Sequence, residues 1–180
     1  MIQKGGSLKL AYRVILTINS IILLLVVYLI KEGITLPFCF LQGAHTSYLI
    51  YIVLSILMSG ICLWLSGCLK NDVIEGGITD VEMANNSYLP SYLGYFFVAL
   101  SIGDWDTFVW VGVLIFLFTF FSQTLYFNPM FLLFGYKFYI ITVDTGMKFF
   151  VISHKRIKSI KGLSFTNLKR INDYTFIDKE

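Results

Sequence analysis

The sequence has few charged residues and few residues that bind metals. Charged residues make up 14% of the 180 residues, and there are two histidines and three cysteines. Soluble domains are about 25% charged, so this composition excludes an ordinary soluble domain. No two cysteines form a Cys-x-x-Cys pair and the histidines lie far apart, which argues against a zinc or haem site. We expect no cofactor and no metal, and we interpret the cysteines as small apolar filler: Cys39, Cys62 and Cys68.

The sequence contains long runs of apolar residues. Apolar residues make up 57% of the chain and the mean hydropathy is +0.75, values typical of an integral membrane protein. A spanning helix needs about 20 mostly apolar residues. Four runs approach this length, and no cleavage site follows the first, which we interpret as an uncleaved anchor. The sequence therefore predicts an α-helical membrane protein whose residues 1–127 hold four transmembrane helices, at about residues 11–30, 48–69, 87–102 and 108–127.

Residues 128–180 follow a different pattern. Asn128-Pro129 ends the last apolar run, and the stretches KFYIITV and MKFFVIS are then rich in β-branched and aromatic residues. The DTG between them suits a hairpin with a left-handed glycine. GLSFTNL and DYTFID are candidates for a third and a fourth strand. We predict a small cytoplasmic β-rich tail domain, too small to be well ordered without a partner or oligomeric neighbours.

The basic residues favour four spans over five and set the orientation. With four spans, Lys31 alone among the 14 Lys and Arg lies on one side of the membrane. The positive-inside rule places the other side, with both termini, in the cytoplasm. A fifth span over about residues 127–143 would carry most of the basic tail across the membrane. It would also place Lys137 near mid-membrane, at a cost of about 2.5–3.5 kcal/mol.

The second apolar run carries a stripe of small residues at helical spacing. Ser55, Ser59, Cys62 and Ser66 share one helix face, and such stripes let membrane helices approach closely. Three interpretations stay open for this helix-packing face: contact within one chain, contact between protomers, or the lining of a pore. Beyond Arg13, at the start of the first run, the runs contain no charged residue, and they hold the amides Asn19 and Gln123, which argues against an ion-coupled transporter.

The DTG triplet at residues 144–146 is shared with aspartic proteases. That chemistry needs two carboxylates that share a proton, and the chain holds one copy of the triplet. A hairpin turn accounts for the same residues through the backbone preferences of Asp and Gly. We predict no catalytic residue and expect that the chain is not an enzyme.

Residues 137–180 hold nine basic and four acidic side chains. Three interpretations of these basic residues stay open: a signal for membrane orientation, a contact with anionic lipid headgroups, or a docking face for an acidic partner or nucleic acid. There is no glycine-rich phosphate loop or nucleotide fingerprint. The segment 71–86 holds four acids and no base, so we expect the two segments to attract each other. The candidate partner-docking residues are Lys155, Arg156, Lys158, Lys161, Lys169 and Arg170.

Three stretches within residues 127–177, namely FNPMFLLFGYKFY, VDTGMKFFVISHKRIK and LKRINDYTFID, resemble the KwaA family. KwaA is the small four-span subunit of the Kiwa anti-phage defence system of bacteria. The resemblance implies a sensor of phage attack at the bacterial inner membrane, with a soluble DNA-binding effector, KwaB, as its partner on the cytoplasmic face.

The residues and the resemblance together predict a non-enzymatic sensor and scaffold in the lipid bilayer. We expect it to be a homo-oligomer that docks a cytosolic effector resembling KwaB through residues 137–180 and does not itself bind nucleic acid. The alternative is a small oligomeric ion channel or pore with a cytoplasmic gating tail.

Overall fold

A computed structural model describes residues 3–37, 43–74, 76–85, 89–121, 128–160, 163 and 165–179, without the side chains of residues 3–8 and 91. Within these residues the chain forms five α-helices and six strands. The helices are α1 (Gln3–Lys31), α2 (Ala44–Leu65), α3 (Leu89–Ser101), α4 (Trp105–Phe121) and α5 (Met130–Leu133). The strands are β1 (Asn71–Asp72), β2 (Ile78–Met83), β3 (Lys137–Val143), β4 (Lys148–Ser153), β5 (Leu168–Arg170) and β6 (Thr175–Asp178).

Two of the described helices are long and apolar enough to cross a membrane. Their apolar stretches, Lys9–Lys31 and Ala44–Cys68, contain 23 and 25 residues. Helices α3 and α4 contain 13 and 17 residues. At 1.5 Å per residue they are about 20 and 25 Å long, against a hydrocarbon layer of about 30 Å. The prediction of four transmembrane helices is therefore wrong, and α3 and α4 form a short apolar hairpin.

The α3–α4 hairpin packs along α1. At one end the ring of Phe108 stacks on Tyr28, with ring centroids 3.9 Å apart. At the other end the Arg13 guanidinium donates to the carbonyl of Phe120 at 3.4 Å. Because α1 also packs against α2, it is the central helix of the apolar part of the molecule.

The six strands form one mixed sheet in the order β1-β5-β6-β4-β3-β2. The predicted β3–β4 hairpin is confirmed, with Lys137 opposite Ser153 and Gly146 in the left-handed conformation at φ 79°. Strand β6 lies within the predicted DYTFID stretch and runs parallel to β4. Strand β5 begins at Leu168, the last residue of GLSFTNL, so the third predicted strand lies later in the chain than we expected.

The sheet is larger than the predicted tail, because the segment before α3 contributes two strands. Strand β2 pairs along β3, with Val81 opposite Ile141, and β1 pairs with β5, with Asp72 opposite Leu168. The prediction of a small β-rich tail that follows the helices is therefore wrong. The backbone groups on the outer edges of β3 and β5 need partners, and β1 and β2 supply them.

Each face of the sheet has its own core. One face packs on the ends of α1 and α2 and on α5, and the other is covered by the loop between β4 and β5. Because side chains alternate along a strand, β3 and β4 are apolar on both faces. The first core includes Tyr12, Leu16, Cys62, Leu63, Phe131, Phe138, Ile152 and Ile177. The second includes Tyr139, Ile141, Val151, Leu168 and Phe176, with Ile157 and Phe165 of the covering loop.

Candidate functional site at the junction of helices and sheet

The side chain of Asn128 joins the two apolar helices to the start of the sheet. Its Nδ2 donates to the carbonyl of Asn19 in α1 at 2.9 Å and to Oγ of Ser59 in α2 at 3.1 Å. Its Oδ1 accepts the amide of Met130 at 2.9 Å and so holds the first turn of α5. Asn128 is fully buried. One amide therefore contacts three helices at the point where the chain leaves the apolar layer.

The polar cluster around Asn128 lies in apolar surroundings. Oγ of Ser59 is 3.0 Å from Oδ1 of Asn19 and 2.9 Å from the carbonyl of Ser55, two acceptors for one hydroxyl proton. Asn19, Ser55 and Ser59 are fully buried. Among the described residues, Nδ2 of Asn19 has no hydrogen-bond partner. A buried donor without a partner is costly, so this cluster leaves one polar group of the described helices unsatisfied.

The small-residue stripe of α2 lies against α1 of the same chain. Ser55, Ser59, Cys62 and Ser66 are all fully buried. The hydroxyl of Tyr12 in α1 donates to the carbonyl of Cys62 at 3.2 Å, one turn beyond the Asn19–Ser59 contact. Small side chains at this face let the two backbones approach closely enough for these bonds.

Two further contacts tie the sheet to the end of α2. The Lys179 ammonium donates to the carbonyl of Leu63, and burial, together with the nearby Lys169, lowers the pKa of Lys179. The ring of Phe134 lies so close to Gly60 that a Cβ at this position would be 3.2 Å from it. The end of α2 is thus in contact with residues both before β3 and after β6.

The predicted docking residues do not form one free cluster. Arg156 and Lys158 are exposed on the loop after β4. The hydroxyl of Tyr139 fixes this loop, since it donates to the carbonyl of Lys155 at 2.8 Å and accepts the amide of Ile157 at 3.3 Å. Lys155 itself is half-buried, 4.0 Å from the buried carboxylate of Asp178. Lys161, like Cys39 and Gln123, lies outside the described residues.

The side chains of Lys169 and Arg170 form contacts within the sheet. Both lie on β5 and contact β1, where Lys169 donates to Asn71 and Arg170 pairs with Asp72. The Arg170 guanidinium also lies 4.9 Å from the ring centroid of Phe176. The expected attraction between the acidic segment and the basic tail is therefore present as a cross-strand pair. Arg156 and Lys158 are the predicted docking residues whose side chains the structure leaves exposed within its described part.

Replacing Asp72 with Asn should lower stability near neutral pH and change little in acid. Partial burial tends to raise the pKa of Asp72, but the Val73 amide and the Arg170 guanidinium outweigh it and lower the pKa. A lowered carboxyl pKa contributes stability above the unfolded pKa, and this is lost as the pH falls through the folded pKa. Because the pair is partly exposed, we expect a loss of less than about 1 kcal/mol. Unfolding of both proteins at pH 7 and pH 3 measures it, and an equal loss at both values would contradict the ion-pair explanation.

The DTG triplet forms the β3–β4 turn. Oδ2 of Asp144 accepts the amide of Gly77 at 3.2 Å and so joins this turn to the segment before β2. Across the described ranges, no group of three or more His, Cys, Asp or Glu residues could hold a metal ion.

Sequence reasoning identified the stripe on α2 but missed the role of Asn128, which it treated only as the end of a helix. The available signal was a pair of isolated amides, Asn19 and Asn128, in otherwise apolar sequence. An amide in apolar surroundings needs polar partners, and here Ser59 contacts both amides while Asn128 also donates to the backbone carbonyl of Asn19.

Comparison with known proteins identifies the family. The description of the matching family is "Anti-phage protein KwaA", and the match covers residues 12–177. No curated protein and no solved structure matches the chain. The matched region includes α2, most of α1, both short apolar helices and nearly all of the sheet. The chain therefore belongs to the KwaA family of anti-phage proteins.

Proposed function

We propose that this anti-phage protein is a non-enzymatic sensor and scaffold of the bacterial inner membrane that docks a cytosolic DNA-binding effector on its sheet. The observation that carries the proposal is the continuity between the apolar helices and the sheet. Tyr12, Leu16 and Cys62 of the helices share one core with Phe138 and Ile152 of the sheet. A movement of α1 against α2 in the membrane would therefore displace the docking surface.

The apolar outer surface of the helices supports membrane insertion. Less than half of each spanning stretch is buried in the chain, 44% for the first and 33% for the second. The exposed residues include large apolar side chains on α2 and α4: Leu49, Val53, Leu57, Trp64, Trp110 and Phe118. Exposed apolar surface of this extent marks contact with lipid or protein.

The charge distribution supports a cytoplasmic sheet and cytoplasmic termini. Lys31 lies at the end of α1 that is remote from the sheet, while Arg13 and the basic residues of the sheet lie toward the other end. Helices α1 and α2 run in opposite directions, since Tyr12 contacts Cys62 while Ile34 contacts Tyr51. The start of α1 and Lys179 therefore both lie toward the sheet. The positive-inside rule makes that side cytoplasmic.

Membrane fractionation tests the proposal, with any soluble protein encoded by a neighbouring gene as the candidate effector. We expect that protein in the membrane fraction when the chain is expressed and in the cytosol when it is absent. In a Cys-free background, a cysteine at Ile34 should react with an impermeant reagent in intact spheroplasts, and one at Lys158 should not. A soluble neighbour that stays cytosolic in both strains would overturn the scaffold role. Ion flux in liposomes that contain the purified chain alone would favour a channel instead.

A further inference from the structure

The outer edge of β2 is open for pairing with another strand. The amide of Ala84 donates to the carbonyl of Phe138 at 2.8 Å, which fixes the phase of the β2–β3 ladder. In an antiparallel ladder, residue pairs that share backbone hydrogen bonds alternate with pairs that do not. Because Ala84 belongs to a hydrogen-bonded pair, Met83 and Val81 belong to non-hydrogen-bonded pairs, and their backbone N–H and C=O groups point away from β3. No described residue forms a backbone hydrogen bond with this outer edge.

A groove with both apolar and polar lining lies beside this edge on the face away from the helices. It has a volume of about 310 Å³, and the loop after β4 forms its far wall. Met83 is 57% exposed at its border. Its apolar lining consists of Val81, Met83, Tyr139, Ile157 and Ile160, and Lys158 and Ser159 add polar groups. A strand added to β2 would place every second side chain in this groove, since side chains alternate between the faces.

The other side chains of an added strand would meet negative charge. Asp80 and Glu82 lie opposite Thr142 and Ile140, so they point to the opposite face from Val81. Both are exposed, and neither forms an ion pair with a described residue. Directly opposed charges of opposite sign stabilise a strand pair, and like charges destabilise it.

The charge pattern disfavours a second copy of β2 as the occupant. Two β2 strands paired edge to edge would bring two sets of Asp80 and Glu82 onto the same face. Charged edge residues are a common device against such self-association. An extended segment with apolar residues on one face and basic residues on the other would place its apolar side chains in the groove and its basic side chains beside Asp80 and Glu82.

We propose that the edge of β2 is a binding site for an extended segment of a partner protein, in which apolar and basic residues alternate. The segment adds as a seventh strand, with backbone hydrogen bonds to Val81 and Met83 and its basic side chains beside Asp80 and Glu82. This proposal deepens the docking role proposed above and rests on it.

Peptide binding to the full chain in neutral detergent tests the site. The probe is a fluorescent ten-residue peptide of alternating lysine and valine, followed by anisotropy. Met83→Pro removes an outward amide, and proline is tolerated at an edge where its nitrogen faces solvent. Met83→Ala is its control, because it loses the side chain but keeps the amide. Glu82→Lys tests the charge, and Asp173→Lys is its control at an exposed position away from β2.

We expect Met83→Pro and Glu82→Lys each to weaken binding at least tenfold, with both controls within about twofold of the wild type. A peptide of alternating glutamate and valine should bind at least tenfold more weakly than the lysine peptide. Equal affinity across the four variants, or for the two peptides, would overturn the proposal. A change in oligomer mass with Met83→Pro, without peptide, would show that a second copy occupies the edge and would overturn it as well.

The two proposals can fail separately. If the effector stays with the membrane fraction but the peptide does not discriminate among the variants, docking stands and the edge of β2 is not the site. If the peptide behaves as expected but no effector is retained, the edge binds strands and the scaffold role is wrong.

Discussion

Asn128→Ala is expected to lower the melting temperature by about 5–10 °C, the largest loss that we predict for one polar side chain. The substitution removes the donors to Asn19 and Ser59 and the acceptor for Met130. A buried hydrogen bond contributes about 1 kcal/mol, and about 0.6 kcal/mol in measured membrane proteins. Three of them give about 2–3 kcal/mol, and each 1 kcal/mol shifts the melting temperature of a chain of this size by about 2–4 °C.

A double-mutant cycle with Ser59→Ala separates the junction from a general loss of stability. Since Asn128 and Ser59 share a bond and both contact Asn19, their effects should be non-additive by at least about 0.5 kcal/mol. Asn85→Ala is the control, because the Asn85 side chain accepts a single amide, that of Phe138 in β3. Additive effects of Asn128→Ala and Ser59→Ala would show that the polar cluster does not act as a unit.

Reversing the charge of Arg156 and Lys158 together should weaken retention of the effector at least tenfold. Both side chains are exposed on a loop that Tyr139 holds in place, so the change alters the surface and leaves the core intact. Lys155 is left unchanged because it lies beside the buried Asp178. Electrostatic docking weakens as salt rises, since charges are screened over about 8 Å at physiological ionic strength.

Pull-down of the effector at rising salt measures this effect. The control reverses Lys70 and Lys148, two exposed residues away from the loop, and changes the net charge by the same amount. We expect the control to retain the effector as the wild type does. If the Arg156 and Lys158 variant also retains it at low salt, these residues act only in membrane orientation.

The local elements that sequence reasoning predicted correctly depend on near neighbours in the chain. The β3–β4 hairpin follows from alternating apolar residues around Asp144-Thr145-Gly146. The α1 and α2 stretches follow from uninterrupted apolar length. The errors concern elements whose partners are remote in sequence. The acidic segment that contains Val81 has the alternation of a strand, but its partner lies some 60 residues later.

The sequence by itself determined the family, the β3–β4 hairpin and the two long apolar helices, because each depends on residues that are close together in the chain. Tertiary structure alone decided that β1 and β2 complete the sheet and that α3 and α4 pack along α1. It also decided that Asn128 joins the helices to the sheet. Likewise, it decided that Lys169 and Arg170 contact β1 while Arg156 and Lys158 stay exposed. The physical reason is that backbone edges and buried polar groups must find partners, and which partners they find depends on which distant segments the fold brings together.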